Sequence, residues 1–121
     1  MIKLHAPHIY LAGPIGKEEM HDENLARAID VAHELTDLGF VVHVPHLSIV
    51  WNRKHPRHYE DWMAIDFAVI VRCDCLYRMN GVSPGADREV AFAKERDISV
   101  LYSLDSALSF LDDYKGPRDS A

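Results

Sequence analysis

The chain has 121 residues, 48% of them hydrophobic and 26% charged, which fits one compact domain over 1–121 and leaves little apolar material for a second core. A formal charge of −6, from 13 Lys and Arg against 19 Asp and Glu with the bases unclustered, argues against nucleic acid as a partner. No stretch approaches the roughly 18 apolar residues of a membrane span, and "MIKLHAPHIY" lacks the order of a signal peptide, so a soluble cytoplasmic protein is expected.

In chain order, "HIYLAG" reads as a short strand ended by glycine, and "GPIGKEE" supplies two glycines and a proline before a polar helix start. From Asp22 the apolar residues Leu25, Ala28, Ile29, Ala32 and Leu35 recur at helical spacing, and Gly39 stands where a left-handed cap is wanted. "FVVHV" is a second strand stopped by Pro45, which completes a strand-helix-strand unit. "PHLSIVWNRKHPRHY" has no clean period and is expected to be a long functional loop. "EDWMAIDFAVIVRCDCLYRM" divides into a helix near Glu60 to Arg72 and a strand near Cys75 to Met79, although "AVIV" alone would suit a strand. Cys73 and Cys75 are too close together for an ordinary structural disulfide and read as buried thiols. Apolar residues encircle that helix, so it is expected to pack against its own copy through residues such as Phe67 and Val69 in a homodimer or higher oligomer.

"NGVSPGADREVAFAKERD" gives the next turn and helix, "ISVLYS" the next strand, and "LDSALSFLDDY" a last short helix before the polar tail "KGPRDSA". Four strands alternating with helices predict a three-layer α/β/α domain with a parallel sheet. Ligands of such sheets bind beyond the carboxyl ends of the strands, which here means the "AGPIG" turn, the long loop and "NGVSPGA".

Ser83 before Pro84 is a good helix cap in its own right, and the same geometry leaves the amides of Gly85 and Ala86 facing outward at a positive helix end, a seat for an anion. Glu89 shares the small, apolar stripe of Ala86 and Ala93, either solvated at the rim or functional inside. Asp66 is surrounded by Trp62, Met63, Ile65, Phe67, Val69 and Ile70, where a carboxylate is costly unless paired or functional. Two partly buried carboxylates beside one anion seat suit acid/base or nucleophilic work at a sugar carbon. His43, His46, His55 and His58 surround the long loop, but without cysteine partners no metal and no cofactor are expected. His46, next to Pro45 at a strand end, is expected to face the pocket. Trp51, Tyr59 and Trp62 either stack on a base or pack in the core, and Arg53 and Arg57 either meet a phosphate or stay solvated.

"YLAGPI" after a first strand, an aspartate in a helix ahead of "CDCLYRM", and "SPGADREVAFAKERDISV" together resemble the nucleoside 2-deoxyribosyltransferase-like superfamily. Its small bacterial and phage members are similar also in "PHLS", "HPRHYEDWMAIDFA" and "GADREVA". The resemblance implies a Rossmann-like sheet of four to five strands, with the polar tail standing where a fifth would come, and active sites completed between subunits. It implies that Glu89 is the nucleophile at the anomeric carbon and that Asp66 positions the substrate or handles the leaving base's proton. Tyr10, Gly13, Pro14 and Ile15 then line the sugar and base pocket, with Trp62 and His46 beside them. Transferases of free nucleosides carry an acidic residue six positions before the glutamate, to hold the 5′-hydroxyl. Here Ser83 stands there, as in the nucleoside 5′-monophosphate hydrolases. With Gly85 and Ala86, a neutral hydroxyl tolerates a phosphate that a carboxylate would repel. The implied activity is N-glycosidic cleavage of a nucleotide or related N-riboside, by hydrolysis or base transfer. The alternative is a non-catalytic module that binds or senses nucleotides.

Overall fold

The computed structural model describes residues 2–117. The β-branched and aromatic runs form four strands, β1 (His8–Ala12), β2 (Val41–His43), β3 (Cys75–Arg78) and β4 (Ser99–Leu101), all parallel in the order β2-β1-β3-β4. Ile9 stands opposite both Val42 and Cys75, and Leu76 opposite Val100. Successive strand residues face opposite sides, so β1 serves two cores. Ile9 and Leu11 pack with Ala28, Ala32 and Leu35 of α1 (His21–Leu38) and Ala107 of α5 (Leu104–Asp113). Tyr10 and Ala12 pack with Ile70 of α3 (Tyr59–Ile70) and Ala86 and Ala93 of α4 (Pro84–Glu95). These are the three layers expected from the alternation of elements, with four strands among the described residues. The end of the polar tail, 118–121, lies outside the described residues.

Gly39 caps α1 at φ 118°, its N–H donating to the carbonyls of Leu35 and Thr36. The stripe of α1 is narrower than its spacing suggests, because Ile29 remains 47% exposed. No helix among the described residues is long and apolar enough to cross a membrane.

Two expectations are corrected. The supposed loop after β2 holds a 3-10 turn (Pro45–Leu47) and then α2 (Ser48–Lys54), a helix of roughly two turns that buries only Ile49 and so shows no period in the sequence. In α3, Phe67 and Val69 do not face outward. Phe67 stacks on Phe92 of α4 with ring centroids 4.3 Å apart at 10°, and Val69 packs against the core shared with α4. The exposed aliphatic residues are Ala64, Ile65 and Ala68, with Val71 just past the end of the helix.

The chain runs from β1 out to β2 and returns on the other side of β1 with β3, so strand order reverses between β1 and β3. The crevice expected at such a reversal opens where these strands end. Two turns meet there closely. A Cβ at Gly13 would lie 2.8 Å from Met79 Sδ, and one at Gly81 would lie 2.8 Å from Pro14 Cγ. Gly81 also sits at φ 118°, open at little cost only to glycine. Gly81→Ala should therefore lose more stability than Gly39→Ala, which has similar φ but nothing within 4 Å of the added methyl. Urea denaturation should show about 1 kcal/mol lost for Gly39→Ala and roughly 2–3 kcal/mol for Gly81→Ala. Equal losses would mean that the two turns do not interlock.

Candidate functional site

Three elements bring a polar group to one point beneath this crevice. Tyr10 projects from β1 into the α3/α4 side of the sheet and is 1% exposed. Ala86 and Ala93 let α4 lie close to the sheet, and the same stripe carries Glu89, 5% exposed, to the Tyr10 hydroxyl, which donates a hydrogen bond to Glu89 Oε2. Asp66 of α3 is near enough to both to shift their proton affinities and to have its own shifted by them.

Electrostatics follow from this burial. Desolvation pushes the Glu89 carboxyl up to about 8. The Tyr10 hydrogen bond opposes the rise and the charge of Asp66 adds to it. Desolvation likewise pushes Asp66 up to about 6, against the lowering effect of the neighbouring Glu89 and Tyr10 side chains. Burial, then the two carboxylates, hold the Tyr10 phenol well above its ordinary range, so it stays a donor. Arg78, whose field favours ionised Glu89, is itself paired with Asp87 at 3.0 Å. Near neutral pH the two carboxyls thus hold one proton between them, a state belonging to the pair.

A cavity of about 560 Å³ opens onto this floor. Of the residues expected at the site, Gly13, Ile15, Trp62, Asp66, Ser83, Gly85, Ala86 and Glu89 all line it. Tyr10 lies beneath, reaching it through Glu89. Pro14 is buried behind the wall, its ring against Gly81.

His46 has a different place from the one expected. Pro45 opens a 3-10 turn that carries the imidazole inward, where it is fully buried, donates from Nε2 to the Pro14 carbonyl at 3.2 Å and does not line the cavity. Burial pushes its pKa down, so it is a neutral brace for the β1 turn. At the start of α4, Ser83 Oγ accepts from the Ala86 amide at 3.1 Å, so only the Gly85 amide keeps the open character expected of both. The Ser83 hydroxyl proton remains available for a ligand. Tyr59 Oη stands 3.0 Å from where a Cβ of Gly85 would be, which closes that side of the seat.

The outer wall combines Arg57 and Tyr59, both weighed from the sequence, with Asn52 and His21, which the sequence did not single out. Asn52 of α2 lines the cavity, and its Oδ1 accepts from Trp62 Nε1 at 2.7 Å and from the Arg57 backbone N–H at 2.9 Å. Trp51 meets Trp62 edge-on, centroids 5.1 Å apart at 76°. Arg57 and Tyr59 also line the cavity, whereas Arg53 pairs with Asp22 at 2.6 Å. His21 is a further lining residue, its Nε2 donating to the Gly16 carbonyl at 3.0 Å. Among the described residues no three His, Cys, Asp or Glu side chains group to hold a metal, and His43 Nε2 instead meets His8 Nδ1 at 2.8 Å.

Both floor carboxyls bind their protons more tightly in the folded chain than in an unfolded one. The stability linked to this is full below the ordinary carboxylate range and is lost as pH rises through about 6 and about 8. Glu89→Gln, which cannot ionise and still accepts from Tyr10, escapes the larger part of that loss. Its melting temperature should exceed that of the wild type by several degrees at about pH 9 and by little at about pH 5. A gap independent of pH would contradict the burial of an ionisable Glu89.

No curated protein matches the chain in sequence. In structure it is similar to a 2-deoxyribosyltransferase from the psychrotolerant bacterium Bacillus psychrosaccharolyticus, with a TM-score of 0.53 and 22% identity, covering 77% of this chain and 69% of the other. That likeness is one of fold, the parallel sheet flanked by helices. Residues 7–102, which include Tyr10, Asp66, Ser83 and Glu89, match the family described as Domain of unknown function (DUF4406), and the chain belongs to that family.

Proposed function

We propose that the protein cleaves the N-glycosidic bond of a nucleoside 5′-monophosphate or related N-riboside, with Glu89 at the anomeric carbon. The observation that carries this reading is the Tyr10, Asp66 and Glu89 cluster, buried yet open to a cavity of about 560 Å³. That space suits a compact ligand. The fold shared with a 2-deoxyribosyltransferase supports a nucleoside as the class of substrate.

The single proton of the pair fits the chemistry. Glu89 holds the proton more tightly of the two, so the reacting form is the minor one in which that proton has moved to Asp66 and Glu89 is ionised; a Glu89 oxygen then bonds to C1′ as the C1′–N bond breaks, and the Asp66 proton passes to the leaving base. Water then attacks C1′, its proton returns to Asp66 and Glu89 leaves as carboxylate. A second base in place of water gives transfer instead of hydrolysis. Tyr10 keeps Glu89 in position and stabilises its charge whenever it forms.

Chromatography of free base, with ribo- and deoxyribonucleosides and their 5′-monophosphates as substrates, tests the reading. Glu89→Gln should lower base release at least about a hundredfold and Asp66→Asn by a comparable factor. The rate should follow a bell in pH with limbs near 6 and near 8, and Asp66→Asn should lose the alkaline limb because the shared proton is gone. Undiminished release by Glu89→Gln rejects the mechanism. A wild-type protein that binds nucleotides and releases no base is a binding module instead.

Ser83 at the α4 start favours a 5′-phosphate over a bare 5′-hydroxyl. Ser83→Asp should weaken binding of a 5′-monophosphate about tenfold more than that of its nucleoside, read by calorimetry. Equal weakening would place the phosphate elsewhere.

A further inference from the structure

The outer wall of the cavity is tied together by one amide. Asn52 Oδ1 accepts from the indole N–H of Trp62 and from the Arg57 backbone N–H, two groups that can only donate. Which end of the amide is oxygen is thereby fixed, and so is the direction of Nδ2. That nitrogen has no partner among the described residues, and it is not sealed from solvent as an unpartnered buried atom would be. A half-buried asparagine on the cavity wall therefore holds two N–H donors in reserve, with no freedom to offer an acceptor instead.

Its position relative to the floor follows from α3. Asp66 and Trp62 are four residues apart, so they share one face of the helix about 6 Å from each other along its axis. The inference rests on the reading of the site as a nucleoside pocket. With C1′ at Glu89 and the glycosidic nitrogen at Asp66, a base extends toward Trp62, and its far edge comes to Asn52, which is bonded to the Trp62 indole. Trp62 is held from two sides, by that bond and by the edge contact with Trp51, so it is a fixed surface for a planar ring.

We propose that Asn52 reads the base, its Nδ2 donating to an exocyclic oxygen on the far edge of a ring held against Trp62, so that the pocket selects oxo-bases over their amino counterparts. An amino group at that edge would set donor against donor and leave both unpaired in a half-buried site, and a site built to pair one group rejects its opposite on those grounds.

The test uses ligand pairs that differ at that edge only, hypoxanthine against adenine and uracil against cytosine nucleotides, in ribo and deoxy forms. Binding is measured by calorimetry in the Glu89→Gln protein, so that no turnover intervenes. The oxo member of each pair should bind about tenfold tighter. Asn52→Asp keeps the shape and the Oδ1 bonds to Trp62 and Arg57 but replaces the donor by an acceptor, and should invert the preference. Asn52→Ala should level it. Ratios cancel any uniform weakening from the added charge or from a loosened wall. Nucleotide binding with an oxo-to-amino ratio unmoved by both substitutions overturns the inference and leaves the proposed function standing. Absence of binding to every nucleoside and nucleotide overturns both.

Discussion

Two carboxyl groups taken out of water, Glu89 almost wholly and Asp66 in large part, are the constraint that the rest of the structure accommodates. Neither forms an ion pair with Lys or Arg among the described residues. The relief available is one shared proton and the hydroxyl of Tyr10. Holding such a pair together requires that α3 and α4 not drift apart, and several contacts serve that end. Phe67 stacks flat on Phe92, while Arg88 of α4 makes two hydrogen bonds of 3.1 Å to the carboxylate of Glu60 and lies over the rings of Tyr59 and Phe67. Exposed pairs of this kind contribute little to stability one by one. Their bidentate and stacked geometry instead fixes the register of one helix on the other.

The sheet decides where this buried pair can be of use. At the reversal between β1 and β3 the following chain segments part to either side, leaving room that side chains from α2, α3 and α4 wall in. The turns that bound this room have almost no slack. Gly13 lies against Met79, Gly81 against the Pro14 ring, and the Pro14 carbonyl is tied to the buried His46. A floor that must hold two carboxyls together out of water needs this stiffness, because a small displacement would expose them to water and return their proton affinities to ordinary values.

Much of the fold is legible in the sequence because its elements carry a period or a punctuation mark. α1 shows a stripe and a capping glycine, α4 a Ser-Pro start, and the strands their β-branched runs. α2 is not legible, since roughly two turns burying one residue leave no periodic trace. The outer face of α3 is misread for a related reason: apolar residues surround the helix, and spacing alone cannot say that Phe67 turns toward Phe92. Glu89 and Asp66 stand out because a carboxylate amid small or apolar neighbours breaks the local pattern. His46 breaks no pattern, and its inward turn depends on the backbone path after Pro45. Asn52 is invisible for a different reason. Its role arises from two donors, five and ten positions away, that meet one oxygen only after α2 and α3 have packed.

Floor and outer wall are therefore built differently, and α3 belongs to both. Asp66 is on its inner turn and Trp62 one turn earlier in the wall, so any change that tilts or shifts α3 moves the reacting end of the site and the far end together. α2 contributes Ser48, Ile49 and Asn52 to the wall and is tied to α3 through the Trp62 indole. Variation in what the cavity accepts is then least disruptive when it falls in α2, a short helix that buries little and carries few constraints of its own. Variation in α3 must satisfy the carboxyl pair, the stack on Phe92 and the wall at once. The segment hardest to read from the sequence is, for that same lack of constraint, the one freest to set the choice of ligand.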